Sequence, residues 1–116
     1  PAKPLARLNA LLPGRVQWAE EGPVYRRLFG DPLESLEKRM LDEPDKLALV
    51  REYDRRYEAE PDKAMQEALC GYYIDGTRSC GRVADQVIAE LGGGNREMLL
   101  EYQRLLEVCG LLEMVQ

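Results

Sequence analysis

Apolar residues recur at helical spacing through most of the chain, and glycines and prolines mark where each run stops. Leu5, Leu8, Leu11 and Leu12 repeat at three- and four-residue steps until Pro13-Gly14, which predicts a short helix or the remnant of a linker. The stretch from Gly14 to Pro32 is punctuated by breakers and holds Val16, Trp18, Val24, Tyr25, Leu28 and Phe29, which fits a short extended segment or a turn of helix. Residues 1–30 therefore read as an N-terminal helical extension or linker, and residues 31–116 as a helical domain.

Within that domain the starts of helices are written in capping chemistry. Asp31-Pro32-Leu33-Glu34 has an aspartate cap, a proline at the first helical position and a glutamate three residues past the cap, with Leu33, Leu36 and Met40 on one face. Glu-Pro-Asp-Lys occurs twice, at 43–46 and 60–63, without matching residues after it, so both copies read as helix entrances rather than an internal repeat. They open helices over about 44–58, with Leu47, Val50, Tyr53 and Tyr57 in a stripe, and about 62–73, with Met65, Ala68, Leu69, Tyr72 and Tyr73 as its inner stripe. Asp75-Gly76 then supplies a turn, and Ser79 caps a helix facing inward through Val83, Ala84, Val87, Ile88 and Leu91. Gly92-Gly93-Gly94 stops it, because three glycines lose too much backbone entropy to stay helical. Asn95 caps the last helix, with Met98, Leu99, Tyr102, Leu105, Leu106 and Cys109 at helical spacing, and residues 111–115 form a short strand after Gly110.

From residue 62 onward the order is helix, turn, helix, turn, helix, strand, which is mainly α and winged-helix-like: a helix-turn-helix plus one or two short strands. A winged helix ordinarily closes with a two-stranded hairpin. Here the last strand is expected to pair with the segment Ile74 to Arg78.

Charge decides how that shape is used. The chain has 116 residues and a net charge of −5, and the acidic excess is concentrated late: residues 1–60 carry 11 basic and 12 acidic side chains, residues 61–116 carry 5 and 9. A helix-turn-helix that reads DNA presents donors and positive charge from its second helix. That helix, from Asn95 to Gly110, sets Arg96 and Arg104 against Glu97, Glu101 and Glu107, so its outer face reads as net negative, where a phosphate backbone requires cations. Nucleic-acid recognition is the alternative, and Asn95 and Arg96, which lead the helix, would carry it.

Catalytic and metal chemistry lack their parts. With no histidine and three dispersed cysteines, Cys70, Cys80 and Cys109, there is neither a zinc-ligand spacing nor a base for a serine, threonine or cysteine nucleophile, so no cofactor or metal is expected. Carboxylate pairs such as Glu20-Glu21 and Asp42-Glu43 read as solvated helix ends, and Gly92-Gly93-Gly94 lacks the strand and lysine of a phosphate loop. The cysteines read as reduced, buried thiols of a cytoplasmic protein, with Cys80, at a helix start, the one to watch for reactivity. No apolar run approaches the ~18 residues of a membrane span. Trp18, Tyr25, Leu28 and Phe29 remain as apolar side chains that must dock on the domain or on a partner.

"DGTRSCGRVADQVIAEL" and "MLLEYQRLLEVCGLLEMV", with Gly22, Pro23 and Leu33 upstream, resemble the C-terminal winged-helix segment of bacterial zinc aminopeptidase-like proteins, the exopeptidase family that includes leucyl aminopeptidases. The matching positions are Asp75, Gly76, Arg78, Val83, Ala84, Leu99, Leu100, Glu101, Tyr102, Leu105, Leu106, Glu107, Gly110 and Leu111. The resemblance implies an accessory domain without zinc ligands or catalytic residues. Its expected partners are the remainder of a parent polypeptide, since the chain opens Pro-Ala-Lys as an excised piece would, or a second copy in a homodimer; no membrane is expected.

Overall fold

The computed structural model describes residues 22–30 and 35–115. The expected helix at Leu5–Leu12, Trp18 and the Asp31–Glu34 helix entrance lie outside the described residues. What is described is mainly helical, with five helices and a two-stranded antiparallel sheet: β1 (Tyr25–Arg27), α1 (Leu36–Arg39), α2 (Pro44–Arg56), α3 (Lys63–Tyr73), α4 (Cys80–Leu91), α5 (Arg96–Val108) and β2 (Leu112–Met114).

Local chemistry sets the limits of these helices. Pro44 sits in the first turn of α2, where its missing N–H costs no helical bond. Oγ of Ser79 accepts the N–H of Arg82 at the start of α4, and Oδ1 of Asn95 accepts that of Met98 at the start of α5. Gly92 and Gly110 end α4 and the turn after α5 at positive φ, as a left-handed stop requires. The short α1 is capped by Ser35, whose Oγ accepts the Lys38 N–H.

The centre of the domain is α5, which packs against α2, α3, α4 and β2. Met98 to Gln103, Leu105 and Leu106 are all buried, so the helix is enclosed on nearly every side. This corrects the expectation of an anionic outer flank: Glu101 has no exposed surface, and Glu107 is half-buried against Arg104 and Tyr25. A helix of alternating charge and leucine looks amphipathic in one dimension, but here the arginine and tyrosine partners of Glu101, Arg56 and Tyr57, come from α2 and the turn after it.

β1 belongs to the same core, although it lies in the segment read as an extension. Its residues pair antiparallel with β2, Tyr25 opposite Met114, Arg26 opposite Glu113 and Arg27 opposite Leu112. On its other edge Val24 bridges Ser79, the Gly76 N–H donates to Tyr25 O at 2.9 Å, and the Cys80 N–H donates to Pro23 O at 2.8 Å. β1 therefore lies between β2 and the 76–80 segment, which corrects the expected direct pairing of the last strand with Ile74–Arg78. Tyr25 fixes this arrangement: its ring is in the core, and its hydroxyl donates to Oε1 of Glu107 at 2.9 Å.

Candidate functional site

The turn between α4 and α5 is tied down from α3. The buried Gln66 donates from Nε2 to Pro61 O and to Glu60, and its Oε1 accepts the Asn95 N–H at 2.9 Å. Asn95 also donates from Nδ2 to Glu60 at 2.9 Å, and Arg96 pairs with Asp85 of α4 at 2.8 Å. The two residues expected to lead a DNA contact are thus a helix cap and one half of an ion pair.

Among the residues expected to dock on the domain or on a partner, Tyr25 lies in the core of the domain. Phe29 is partly buried against the core, with its ring tip over Gly71 of α3. Leu28 is half exposed.

Two surface features stand out instead. The first is the outer face of α3, where every exposed residue is uncharged: Ala64, Met65, Ala68 and Tyr72. Met65 is 55% exposed and Tyr72 70% exposed. Sequence periodicity assigned Met65, Ala68 and Tyr72 to the inner stripe; the helix is instead rotated so that Gln66, Cys70 and Gly71 are buried, with Leu69 and Tyr73 partly covered. An apolar stripe reports a face that avoids water without saying whether its own domain covers that face, and the polar Gln66 concealed the true inner side.

The second feature is a pocket of about 410 Å³ where α1, α2, α3 and α5 meet, lined by Leu36, Tyr53, Asp54, Lys63, Glu67 and Tyr102 among others. Nζ of Lys63 lies 2.9 Å from Oδ1 of Asp54, 2.8 Å from Oε2 of Glu67 and 5.0 Å from the centre of the Tyr53 ring. The Tyr53 hydroxyl donates to Glu67 Oε2 at 2.8 Å. Burial works against the Lys63 charge, but its bonds to Glu67 and Asp54 outweigh that and hold its pKa above the ordinary lysine value. Lys63 is therefore a fixed cation, unlike the amine of a covalent catalyst, which must lose its proton. Burial, and after it the neighbouring Glu67 carboxylate, raise both Tyr53 and Tyr102 above the usual phenol range, so both stay protonated.

All three cysteines are buried, and burial pushes Cys80 and Cys109 up to about 11 and Cys70 higher still. Position at a helix start does not activate Cys80, because desolvation of the thiolate outweighs the helix N–H groups and Arg96. Among the described residues no group of His, Cys, Asp or Glu side chains is arranged to hold a metal ion, and no helix is long and apolar enough to cross a membrane.

Comparison with family models, characterised proteins and solved structures gives no match to this chain.

Proposed function

We propose that the chain is a non-catalytic interaction domain built in winged-helix order, and that it binds protein through the outer face of α3. The uncharged character of that face carries the reading. Apart from Pro44, the exposed positions of α2 are charged, Asp45, Arg51 and Arg55, whereas those of α3 are alanine, methionine and tyrosine. Methionine and tyrosine side chains of this exposure are the residue types enriched where proteins meet.

The winged-helix reading rests on strand placement. The Ser79 bridge precedes α4, β2 follows α5, and β1 stands between them, so a strand from before the helices supplies the position that a C-terminal hairpin would otherwise fill. The same packing weighs against DNA reading, because a helix enclosed like α5 has little face left to lay in a groove. The resemblance to aminopeptidase accessory segments supports a structural role, since its positions are a turn at Asp75-Gly76, core residues such as Val83, Ala84 and Leu99, and a left-handed stop at Gly110. Its charged positions Asp75 and Arg78 pair with each other, and the remainder of such a parent polypeptide is the first partner we infer.

A photo-crosslinking amino acid placed at Met65 or Tyr72, with Arg55 as the control position, tests this in the cells that make the protein. The expected result is a discrete protein adduct from the α3 positions, lost on Ala68→Lys, and none from Arg55. Equal labelling from both helices would overturn the reading.

A further inference from the structure

We propose that the pocket between α1, α2, α3 and α5 binds an organic cation carrying a primary ammonium or guanidinium group. Tyr102 is the pointer. Its side chain is 7% exposed and lines the pocket, yet its hydroxyl has no hydrogen-bond partner among the described residues. The hydroxyl is the part of Tyr102 that reaches open space, since among the described residues the fully enclosed side-chain atom without a partner is Oε1 of Gln103, and a phenol otherwise enclosed that faces a polar space is matched to what fills that space.

The other walls say what that is. Lys63 takes one oxygen of each carboxylate, Oδ1 of Asp54 and Oε2 of Glu67. The second oxygens, Oδ2 of Asp54 and Oε1 of Glu67, have no partner among the described residues. With Glu37 and Lys38 also lining the pocket, three carboxylates face two ammonium groups, which leaves an excess negative charge and, on Asp54 and Glu67, two acceptors in a partly buried space. Tyr102 adds a third acceptor, and Leu36 and the two tyrosine rings offer apolar contact to a short aliphatic stem. An anion would face the carboxylates and is disfavoured. A volume of about 410 Å³ falls in the range of roughly 300–1,000 Å³ typical of small-ligand sites. Lys63 already demonstrates the chemistry, since its own ammonium lies between the carboxylates and over a ring. The inference does not depend on the role of the outer face of α3.

Agmatine, which carries both groups, is the probe, titrated at neutral pH into the isotope-labelled chain and followed by amide NMR. The expected result is saturable shifts centred on Tyr53, Asp54, Lys63, Glu67 and Tyr102. Asp54→Asn should weaken binding about tenfold, as loss of one charge-assisted bond implies, and Tyr102→Phe by a smaller factor of about threefold. Tighter binding of agmatine than of a capped arginine peptide assigns the site to a free amine; the reverse order assigns it to a basic side chain of a bound protein. Equal shifts from the uncharged analogue butanol, shifts centred elsewhere, or affinity unchanged in both variants would overturn the proposal.

Discussion

Nη1 of Arg56 lies 2.6 Å from Oε1 of Glu101, a carboxylate with no exposed surface at the middle of the central helix. The Tyr57 hydroxyl donates to the other oxygen of the same carboxylate, so α2 and the turn after it are fastened to α5 by a buried charge. Removing one partner of such a pair strands the other. Glu101→Ala is expected to cost about 3–5 kcal/mol, the range for breaking a buried pair, whereas replacing the whole cluster, as Arg56→Met and Tyr57→Phe with Glu101→Leu, is expected to be far milder. Urea unfolding followed by circular dichroism measures both, and a Glu101→Ala cost within the range of ordinary surface substitutions would refute the role given to this pair.

The glycine triplet gives a sharper local contrast. A Cβ added to Gly94 would lie 2.9 Å from Oε1 of Gln66 and 3.2 Å from Ile88, at a φ of +157, while one added to Gly93 meets nothing within 4 Å. Gly94→Ala should therefore loosen the Gln66–Asn95 tie and destabilise by more than 1 kcal/mol, and Gly93→Ala should be neutral or stabilise by about 0.4–1 kcal/mol through the unfolded chain. Thermal melts of the two single variants check the order.

Thiol chemistry follows from burial. Cys70, Cys80 and Cys109 are all enclosed, and their raised pKa values keep them as thiols near neutrality. Reaction with a disulfide reagent at pH 7 is expected to be slow for all three and to become fast together when urea unfolds the domain. Rapid modification of Cys80 alone in the native protein would show that the α4 start opens independently.

Stability should fall on the alkaline side. Tyr25, Tyr53 and Tyr102 are raised first by burial, and Lys63 is raised by its carboxylate partners despite burial. A raised folded pKa means that the folded state keeps a proton the unfolded chain has lost. These contributions are fully present below the unfolded values of about 10 and 10.4 and are lost as pH rises through the folded ones. Asp75 acts at the other end: the Thr77 hydroxyl and N–H and the Arg78 N–H hold it below the ordinary aspartate value, so its contribution is present above about 3.9 and is lost as pH falls. Urea midpoints measured from acid to alkaline pH should form a plateau that declines above pH about 10; a midpoint that rises there contradicts the burial of these phenols.

Helix positions were legible because they are written locally. Pro44, Ser79, Asn95 and Gly110 each mark a helix limit by chemistry that acts within one turn. Long-range facts were not. Nothing beside Tyr25 in the sequence announces a strand partner 89 residues away, and nothing beside Glu101 announces Arg56 and Tyr57. The polar pocket was hidden for the same reason: Asp54, Lys63 and Tyr102 belong to three helices, and only their packing brings them together. The orientation of α3 was misread because Met65 and Tyr72 share the apolar character of a core stripe, while Gln66 earns its burial through hydrogen bonds to a turn.

The central claim, that this domain meets protein rather than nucleic acid, is tested most directly by fluorescence anisotropy with a labelled mixed-sequence DNA duplex at low and moderate salt. The enclosed α5 and its committed Arg96 predict no saturable binding at either salt concentration. Tight binding that weakens with added salt and disappears on Arg96→Ala would contradict the account.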